Sequence, residues 1–276
     1  MANGPTLRRG TIMMQLVNLA RQVLRLAAAL AILSALGHSA SGQQAPKPAS
    51  EKAPAAHPPF DPEIPANLGE PLVDAPNELK RLDASSPAWI DKKNKQVVLI
   101  GSVCKADYPL EFFATYPDRG YESVVVIYTK PSVIHAGLLA LGARPGKPVQ
   151  YKPAFVPASG AEVAIDVAWR DRNGKPQKTR AQQWIRDIKT RKPLDVNWVF
   201  AGSVWWQDKG TGARSYLADR GDFISVTSVP TATLDLPIES DTALESRSFE
   251  GCAERLPAPG TPVTLMLKPK VEPPNK

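Results

Sequence analysis

Histidines and carboxylates are the residues of this sequence best suited to acid–base chemistry. Of its three histidines, His38 and His57 lie N-terminal to the predicted folded domain, which leaves His135 as the one available to a folded site. A Ser-His-Asp triad would need His135 as its base, but no G-x-S-x-G motif accompanies it. We therefore interpret His135 as a helix-surface residue whose expected partner is Glu122, and such a pair would raise the pKa of His135.

Paired carboxylates are a second possible catalytic group. A glycoside hydrolase would place two carboxyl groups about 5 to 10 Å apart. Hydrated surfaces and turn caps account for most acidic residues, so the hydrolase remains the secondary hypothesis. The acidic residues that could converge in the fold are Glu111, Glu122, Asp166, Asp219 and Asp222.

Metal centres and cofactors are poorly supported by the residue counts. Structural zinc takes four Cys or His ligands and catalytic zinc about three protein ligands. His135, Cys104 and Cys252 cannot supply either set without carboxylates, so we predict neither metal nor cofactor. In an exported chain the two cysteines are expected to form one disulfide. Two separate buried thiols are the alternative, since Cys104 lies on an apolar strand.

Three tryptophans form the most prominent aromatic group. Trp198, Trp205 and Trp206 could provide a platform for a sugar or a peptide, because tryptophan combines a large apolar face with a polar N–H. Packing in the core is the more frequent explanation for tryptophans on an apolar strand. Asp222 ends an Arg-Gly-Asp tripeptide, which a turn between strands explains better than adhesion.

The N-terminal 42 residues have the layout of a secretory signal peptide. Four arginines precede an apolar stretch at residues 26–36, and small residues end at Gly42. That stretch is shorter than the ~20 residues needed to cross a bilayer, so we expect no stable membrane span. Translation starting at Met13 or Met14 would leave a signal of ordinary length. We therefore expect export to the periplasm or the exterior, with cleavage near Gly42.

Charge and composition divide the remainder of the chain. Without the four arginines of the signal, 30 basic residues face 27 acidic ones, so no basic stripe for nucleic acid is evident. Residues 43–76 hold nine prolines and predict a disordered linker. Residues 77–270 predict a single globular domain, and residues 271–276 a disordered tail.

The central element predicted from the sequence is a strand followed by a short helix. Residues 124–128 are β-branched and apolar, which favours a buried strand. Ser132 is the expected helix cap, and Gly142 is expected to end the helix in the left-handed conformation. The helix must be held by tertiary packing, because about ten residues are too few for independent stability.

The other segments predict mostly short antiparallel strands. Residues 162–169 alternate apolar and polar side chains with a period of two, and Asn173-Gly174 predicts a hairpin. Residues 180–190 fit either a helical turn or a bent strand. We predict an α+β fold, mainly antiparallel β and sandwich-like, with one short helix covering a face. The other predicted strands are residues 95–104, 110–114, 198–206, 216–219, 223–228 and 263–267.

Several longer motifs resemble the YdjY-domain family of exported bacterial proteins. They are HAGLLALGARPGKPV, RAQQWI, WVFAGS, YLAD, TLDLP and GTPVTLMLKP, and the resemblance covers residues 111–269. It implies no activity, because the family has none established. Family members often have His before the Glu-Ser pair, where this chain has Tyr121. We expect an exported, non-enzymatic binding or assembly module that contacts an envelope component, a polysaccharide or a peptide, with a hydrolase of extracellular polymers as the alternative.

Overall fold

The computed structural model describes residues 63–106 and 108–271. This part of the chain contains fifteen strands, one α-helix and several single 3-10 turns. The elements are β1 (Lys80–Arg81), β2 (Ala88–Asp91), β3 (Gln96–Val103), β4 (Phe112–Thr115), β5 (Ser123–Ile127), α1 (Pro131–Ala140), β6 (Glu162–Arg170), β7 (Pro176–Arg180), β8 (Ile185–Asp187), β9 (Trp198–Phe200), β10 (Trp205–Gln207), β11 (Arg214–Tyr216), β12 (Ile224–Ser225), β13 (Leu234–Asp235), β14 (Phe249–Gly251) and β15 (Pro262–Pro269).

Eight of the strands close into a barrel. Its order is β3, β15, β6, β9, β13, β12, β4 and β5, and β5 pairs again with β3. The pairs β4–β5 and β12–β13 are parallel and the other neighbours antiparallel. The mainly antiparallel β-rich prediction is confirmed, but the predicted sandwich is wrong, because the pairing of β3 with β5 joins what would otherwise be two open edges.

The closure of the barrel depends on a close approach at Gly101. This residue pairs with Ile127 on β5 and with Val263 on β15. A Cβ atom at position 101 would lie 2.3 Å from the carbonyl oxygen of Val126, which no ordinary contact allows. Glycine at this position therefore allows the two backbones to approach each other.

The barrel interior is filled by alternate side chains of the strands. Val163, Ile165 and Val167 point inward from β6, as the alternating pattern predicted, and meet Leu265 and Leu267 of β15 in one buried cluster. The single helix adds to this core through its own apolar face and packs against β2 and β3. One continuous apolar interior thus supports every strand of the barrel.

The helix is present where the sequence predicted it, but its N-terminal cap differs. It ends before Gly142, whose φ of +86° is left-handed as expected. At the start, Ser132 contributes no side-chain cap. Its backbone N–H donates to Asp219 Oδ1 at 2.8 Å, so a carboxylate distant in the chain satisfies the first turn.

Two strands predicted from the sequence are shorter in the structure. The strand predicted for residues 198–206 is interrupted by Gly202 and Ser203, whose φ angles of +85° and +53° turn the chain, so β9 and β10 are separate. The strand predicted for residues 216–219 ends at Tyr216 and continues as a 3-10 turn. Residues 180–190 contain both alternatives, a 3-10 turn followed by β8.

The N-terminal part of the described chain packs on the outside of the barrel. Leu68 is buried there with Trp89 and Met266, and the backbone N–H of Leu72 donates to Thr264 Oγ1 at 2.8 Å. Packing therefore begins ahead of residue 77, where the sequence had placed the domain start. The predicted signal at residues 1–42, linker residues 43–62 and tail residues 272–276 lie outside the described residues. No helix in the described part is long and apolar enough to cross a bilayer.

Candidate functional site

An unusually short connection between two parallel strands builds the candidate site. Parallel strands usually need a crossover of about a dozen residues. Here a kinked 3-10 segment, Pro117–Glu122, joins β4 to β5. The guanidinium of Arg119 lies over the ring of Phe112, 4.4 Å from its centroid, a cation–π contact on the outer side of β4. The short crossover thereby fixes both Arg119 and Glu122.

Two arginines and two glutamates form a closed ring of ion pairs, which we call the ion ring. Arg119 contacts Glu122 Oε1 at 2.9 Å and Glu111 Oε1 at 3.3 Å. Arg247, from the loop before β14, contacts Glu111 Oε2 at 2.6 Å and Glu122 Oε2 at 3.2 Å. Asp222 is attached to the ring through Arg119, with its Oδ1 2.7 Å from Nη1. Every carboxylate of this group therefore has a charged partner.

The charges of the ion ring and Asp222 do not balance. With all groups ionised, three carboxylates face two guanidinium groups. Burial, together with the negative charge and hydrogen bond of Glu122, raises the pKa of Glu111 to about 7. Burial disfavours the charge on Arg119, but Asp222 and Glu122 outweigh it and raise the pKa of Arg119. Glu111 therefore titrates near neutral pH.

A cavity of about 390 Å³ opens beside the ion ring. Glu122 and Arg247 belong to both, with only 8% and 9% of their side chains exposed. Large apolar side chains surround the opening, and Tyr108, Tyr121 and Leu244 are 57%, 64% and 56% exposed. We call this feature the tyrosine pocket, lined by Tyr108, Pro109, Tyr121, Glu122, Leu244 and Arg247.

His135 lies elsewhere, and its expected pairing with Glu122 is wrong. Its ring is buried against Phe200, and its Nδ1 is 2.9 Å from the hydroxyl of Tyr216. That hydroxyl also lies 3.0 Å from Thr233 Oγ1. Because burial is not offset by a carboxylate, the pKa of His135 is lowered where the sequence had predicted a raised value.

The tryptophans do not form one platform. Trp198 is fully buried, and its Nε1 donates to the carbonyl oxygen of Ser225 at 2.6 Å. Trp206 is half-buried on β10, and the neighbouring Trp205 is 49% exposed. The core-packing explanation therefore holds for Trp198, while the Trp205 ring packs against Tyr216, with 4.9 Å between the ring centroids, and lies 5.4 Å from the Arg214 guanidinium.

The structure brings together only some of the acidic residues proposed from the sequence. Glu111, Glu122 and Asp222 meet at Arg119, whereas Asp219 caps the helix and Asp166 binds lysines on another face. The carboxylates of Glu111 and Glu122 are both held by the same two guanidinium groups, those of Arg119 and Arg247.

Four residues of the site were missed from the sequence. Arg119, Arg247, Tyr108 and Tyr121 were not singled out for their chemistry, since isolated arginines and tyrosines carry no motif. Tyr121 had been noted only because it stands before the Glu-Ser pair, where family members often have His.

The cysteines are free thiols, so the structure does not contain the disulfide considered from the sequence. Cys104 packs against the outer apolar cluster, and burial raises the pKa of its thiol to about 12. Cys252 is buried next to Trp184, whose carbonyl oxygen accepts its backbone N–H. The alternative of two separate thiols describes this arrangement. Within the described ranges, no three His, Cys, Asp or Glu side chains are grouped to hold a metal ion.

Comparison with known proteins gives one match. No curated protein and no solved structure matches the chain significantly. The family model of the YdjY domain matches residues 88–268. The match starts at β2, earlier than the motifs had indicated, and spans the whole barrel together with both arginines of the ion ring. The chain therefore belongs to the YdjY-domain family.

Proposed function

We propose that this protein is an exported, non-enzymatic binding module of the cell envelope and that the tyrosine pocket is its contact surface. The observation that carries the proposal is the exposure of Tyr108, Tyr121 and Leu244 around one cavity. Tyrosines are enriched at protein interfaces, because they bury a large area while fixing few rotatable bonds. A pocket with an aromatic rim suits a peptide or a saccharide of the envelope.

The ion ring supports this proposal by making the floor of the pocket rigid. Glu122 and Arg247 are each held from two sides and are nearly buried. Arg247 also donates to the carbonyl oxygen of Pro109, the residue next to Tyr108, at 3.2 Å. The wall and the floor are therefore linked, and little ordering is required when a partner binds.

The sequence supports the export of the chain and an extended spacer ahead of the barrel. The signal-like segment 1–42 would direct the chain out of the cytoplasm, and the proline-rich residues 43–62 would separate the barrel from any attachment point. These segments make an envelope component the natural partner of the pocket.

A hydrolase is the second candidate, and one observation favours it. Glu111 carries a proton near neutral pH beside Glu122, which lines the cavity, and a general acid works best with a pKa near the working pH. The geometry is less favourable, because both carboxylates are engaged by Arg119 and Arg247.

A sedimentation assay on the full-length exported chain tests the proposal. The chain is mixed with purified cell-wall polymer and, separately, with envelope membranes of its host. We expect one fraction to retain wild type, and the double variant Tyr108→Ser, Tyr121→Ser to bind about tenfold more weakly, as for a central pair of interface residues. Val156→Ser is the matched control, since Val156 is equally exposed, at 51%, but is not among the residues lining the pocket.

The same assay separates the two candidates. Release of soluble fragments by wild type, abolished in Glu122→Gln at unchanged melting temperature, would establish the hydrolase instead. Equal retention of wild type and the double tyrosine variant would refute the pocket as the contact surface.

A further inference from the structure

A second groove lies on the outer face of the barrel and shares no residue with the tyrosine pocket. Its cavity of about 560 Å³ is bounded by residues 72–74 on one side and by residues 176–178 of β7 on the other. Ala168 and Met266 form its apolar floor. This volume falls within the range of about 300 to 1,000 Å³ that is usual for small-molecule sites.

The alternation of side chains along β6 and β15 places polar groups on this face. Leu265 and Leu267 of β15 point into the barrel, so Met266 and Lys268 point outward. On β6 the same rule sends Asp166 outward, directly opposite Met266 in the register. Lys178, Gln96 and Lys268 are therefore held by strands of the sheet, whereas Asn94 and Asp74 lie on connecting segments.

Lysines and arginines outnumber acids here. The carboxylate of Asp166 lies 2.9 Å from Lys268 Nζ, 3.5 Å from Lys178 Nζ and 3.9 Å from Arg180 Nε. Asp166 thus pairs with three cations, of which Lys178 and Lys268 line the groove, as does Arg170.

Among the described residues that line the groove, Asp74 is the only acid. Among the lining residues, Arg170, Lys178 and Lys268 therefore outnumber Asp74, which favours an anionic ligand.

The amide side chains of the groove are a second feature that indicates a ligand. Asn94 and Gln96 both donate an amide N–H to Asp91 Oδ2 at 2.8 Å, and Gln177 donates to Asp171 Oδ2 at 2.9 Å. Each of these bonds uses one of the two amide N–H groups and leaves the amide oxygen as an acceptor. Gln96 is only 4% exposed, and its Oε1 has no partner within the described part of the chain. A buried acceptor without a donor is costly, so a ligand hydroxyl would be stabilising there.

We propose that this groove binds an acidic oligosaccharide. Its carboxylates would pair with Lys178 and Lys268, and its hydroxyls would donate to the amide oxygens of Asn94 and Gln96. An acidic saccharide combines carboxylates and hydroxyl donors in one molecule, which is the combination that the groove complements. A nucleic acid would instead require cations spaced along a longer stripe.

Calorimetric titration of the full chain with tetragalacturonic acid tests this proposal. We expect binding that weakens about tenfold in the double variant Lys178→Gln, Lys268→Gln, and that also weakens in about 0.5 M salt, where charges are strongly screened. The fully methyl-esterified tetrasaccharide should bind at least about tenfold more weakly, because it keeps the ring hydroxyls but lacks the negative charges. Lys209→Gln in the β10–β11 turn is the matched control and should bind as wild type.

Three outcomes would overturn the proposal. These are no detectable heat at about 10 mM ligand, equal binding of acid and ester, and equal binding of wild type and the double lysine variant.

Tricarballylate, a tricarboxylate without hydroxyls, should bind more weakly than the saccharide, and if it binds equally well the groove is only an anion site. Gln96→Leu removes the buried acceptor and should lower affinity for the saccharide without changing that for tricarballylate. A result for this groove leaves the tyrosine pocket untested, so the two proposals can fail separately.

Discussion

Replacing Glu111 by Gln should change how the stability of this protein depends on pH. The pKa of Glu111 is raised from 4.5 to about 7 by burial and by Glu122. The folded state therefore holds this proton more tightly than the unfolded state does. Its contribution to the free energy of unfolding is complete below pH 4.5 and is lost as the pH rises through 7.

The size of the effect follows from the same values. A rise from 4.5 to about 7 corresponds to roughly 3 kcal/mol at about 1.4 kcal/mol for each pH unit. The side chain of Glu111 is 17% exposed, so solvent screening reduces our expectation to about 2 kcal/mol. Gln at position 111 retains an acceptor for the arginines and cannot ionise. Relative to wild type, Glu111→Gln should therefore gain about 2 kcal/mol of stability between pH 5 and pH 8.

Urea unfolding followed by tryptophan fluorescence at four pH values between 5 and 8 measures this difference. Asp235, whose pKa burial raises to about 8, titrates in both proteins, so the comparison between them is the informative quantity. Glu245→Gln, an exposed change of the same chemistry, should retain the wild-type profile. A difference between wild type and Glu111→Gln that stays constant over this range would refute the reasoning, because it would mean that the arginines keep Glu111 ionised throughout.

Three further substitutions test the packing around the barrel. Asp219→Ala removes the acceptor of the Ser132 N–H and should lower the free energy of unfolding by about 1 kcal/mol, while Asp219→Asn should recover part of that loss in the same urea assay. Tyr216→Phe leaves two buried polar groups without their shared hydroxyl and should cost about 1 to 3 kcal/mol, a prediction contradicted by an unchanged unfolding midpoint. Gly101→Ala forces a methyl group against the carbonyl oxygen of Val126, so we expect the free energy of unfolding to fall by at least about 2 kcal/mol, or the protein to fail to fold. The loss would appear as a lower melting temperature. Wild-type stability would show that the strands can separate there without cost.

Local features of the fold were predictable from local sequence. The alternation of Val163, Ile165 and Val167 predicted β6 because a half-buried strand has a period of two, and the glycine at position 142 predicted the end of the helix. Gly202 and Ser203 were harder to recognise, since an apolar pattern surrounds them and only their positive φ angles separate β9 from β10. Closure of the barrel was not predictable, because it depends on which distant strands pair.

The candidate site was even less predictable from the sequence than the closure of the barrel. Glu111, Glu122 and Asp222 were recognised as acids that could meet, but a chain with 34 basic residues offers many partners for each of them. The choice of Arg119 follows from the short crossover, and the choice of Arg247 from the loop before β14, neither of which has a sequence signature. The site is therefore a product of topology more than of any motif.

The position of β15 in the barrel has a consequence for how the protein is made. This strand is the last in the described chain, yet it lies between β3, the first strand of the ring, and β6. The barrel therefore cannot close until the ribosome has released the residues up to and including β15. Contacts between such distant segments also form slowly. A nascent chain of this design keeps the barrel open until β15 has emerged, and deletion of β15 would leave the facing edges of β3 and β6 unpaired.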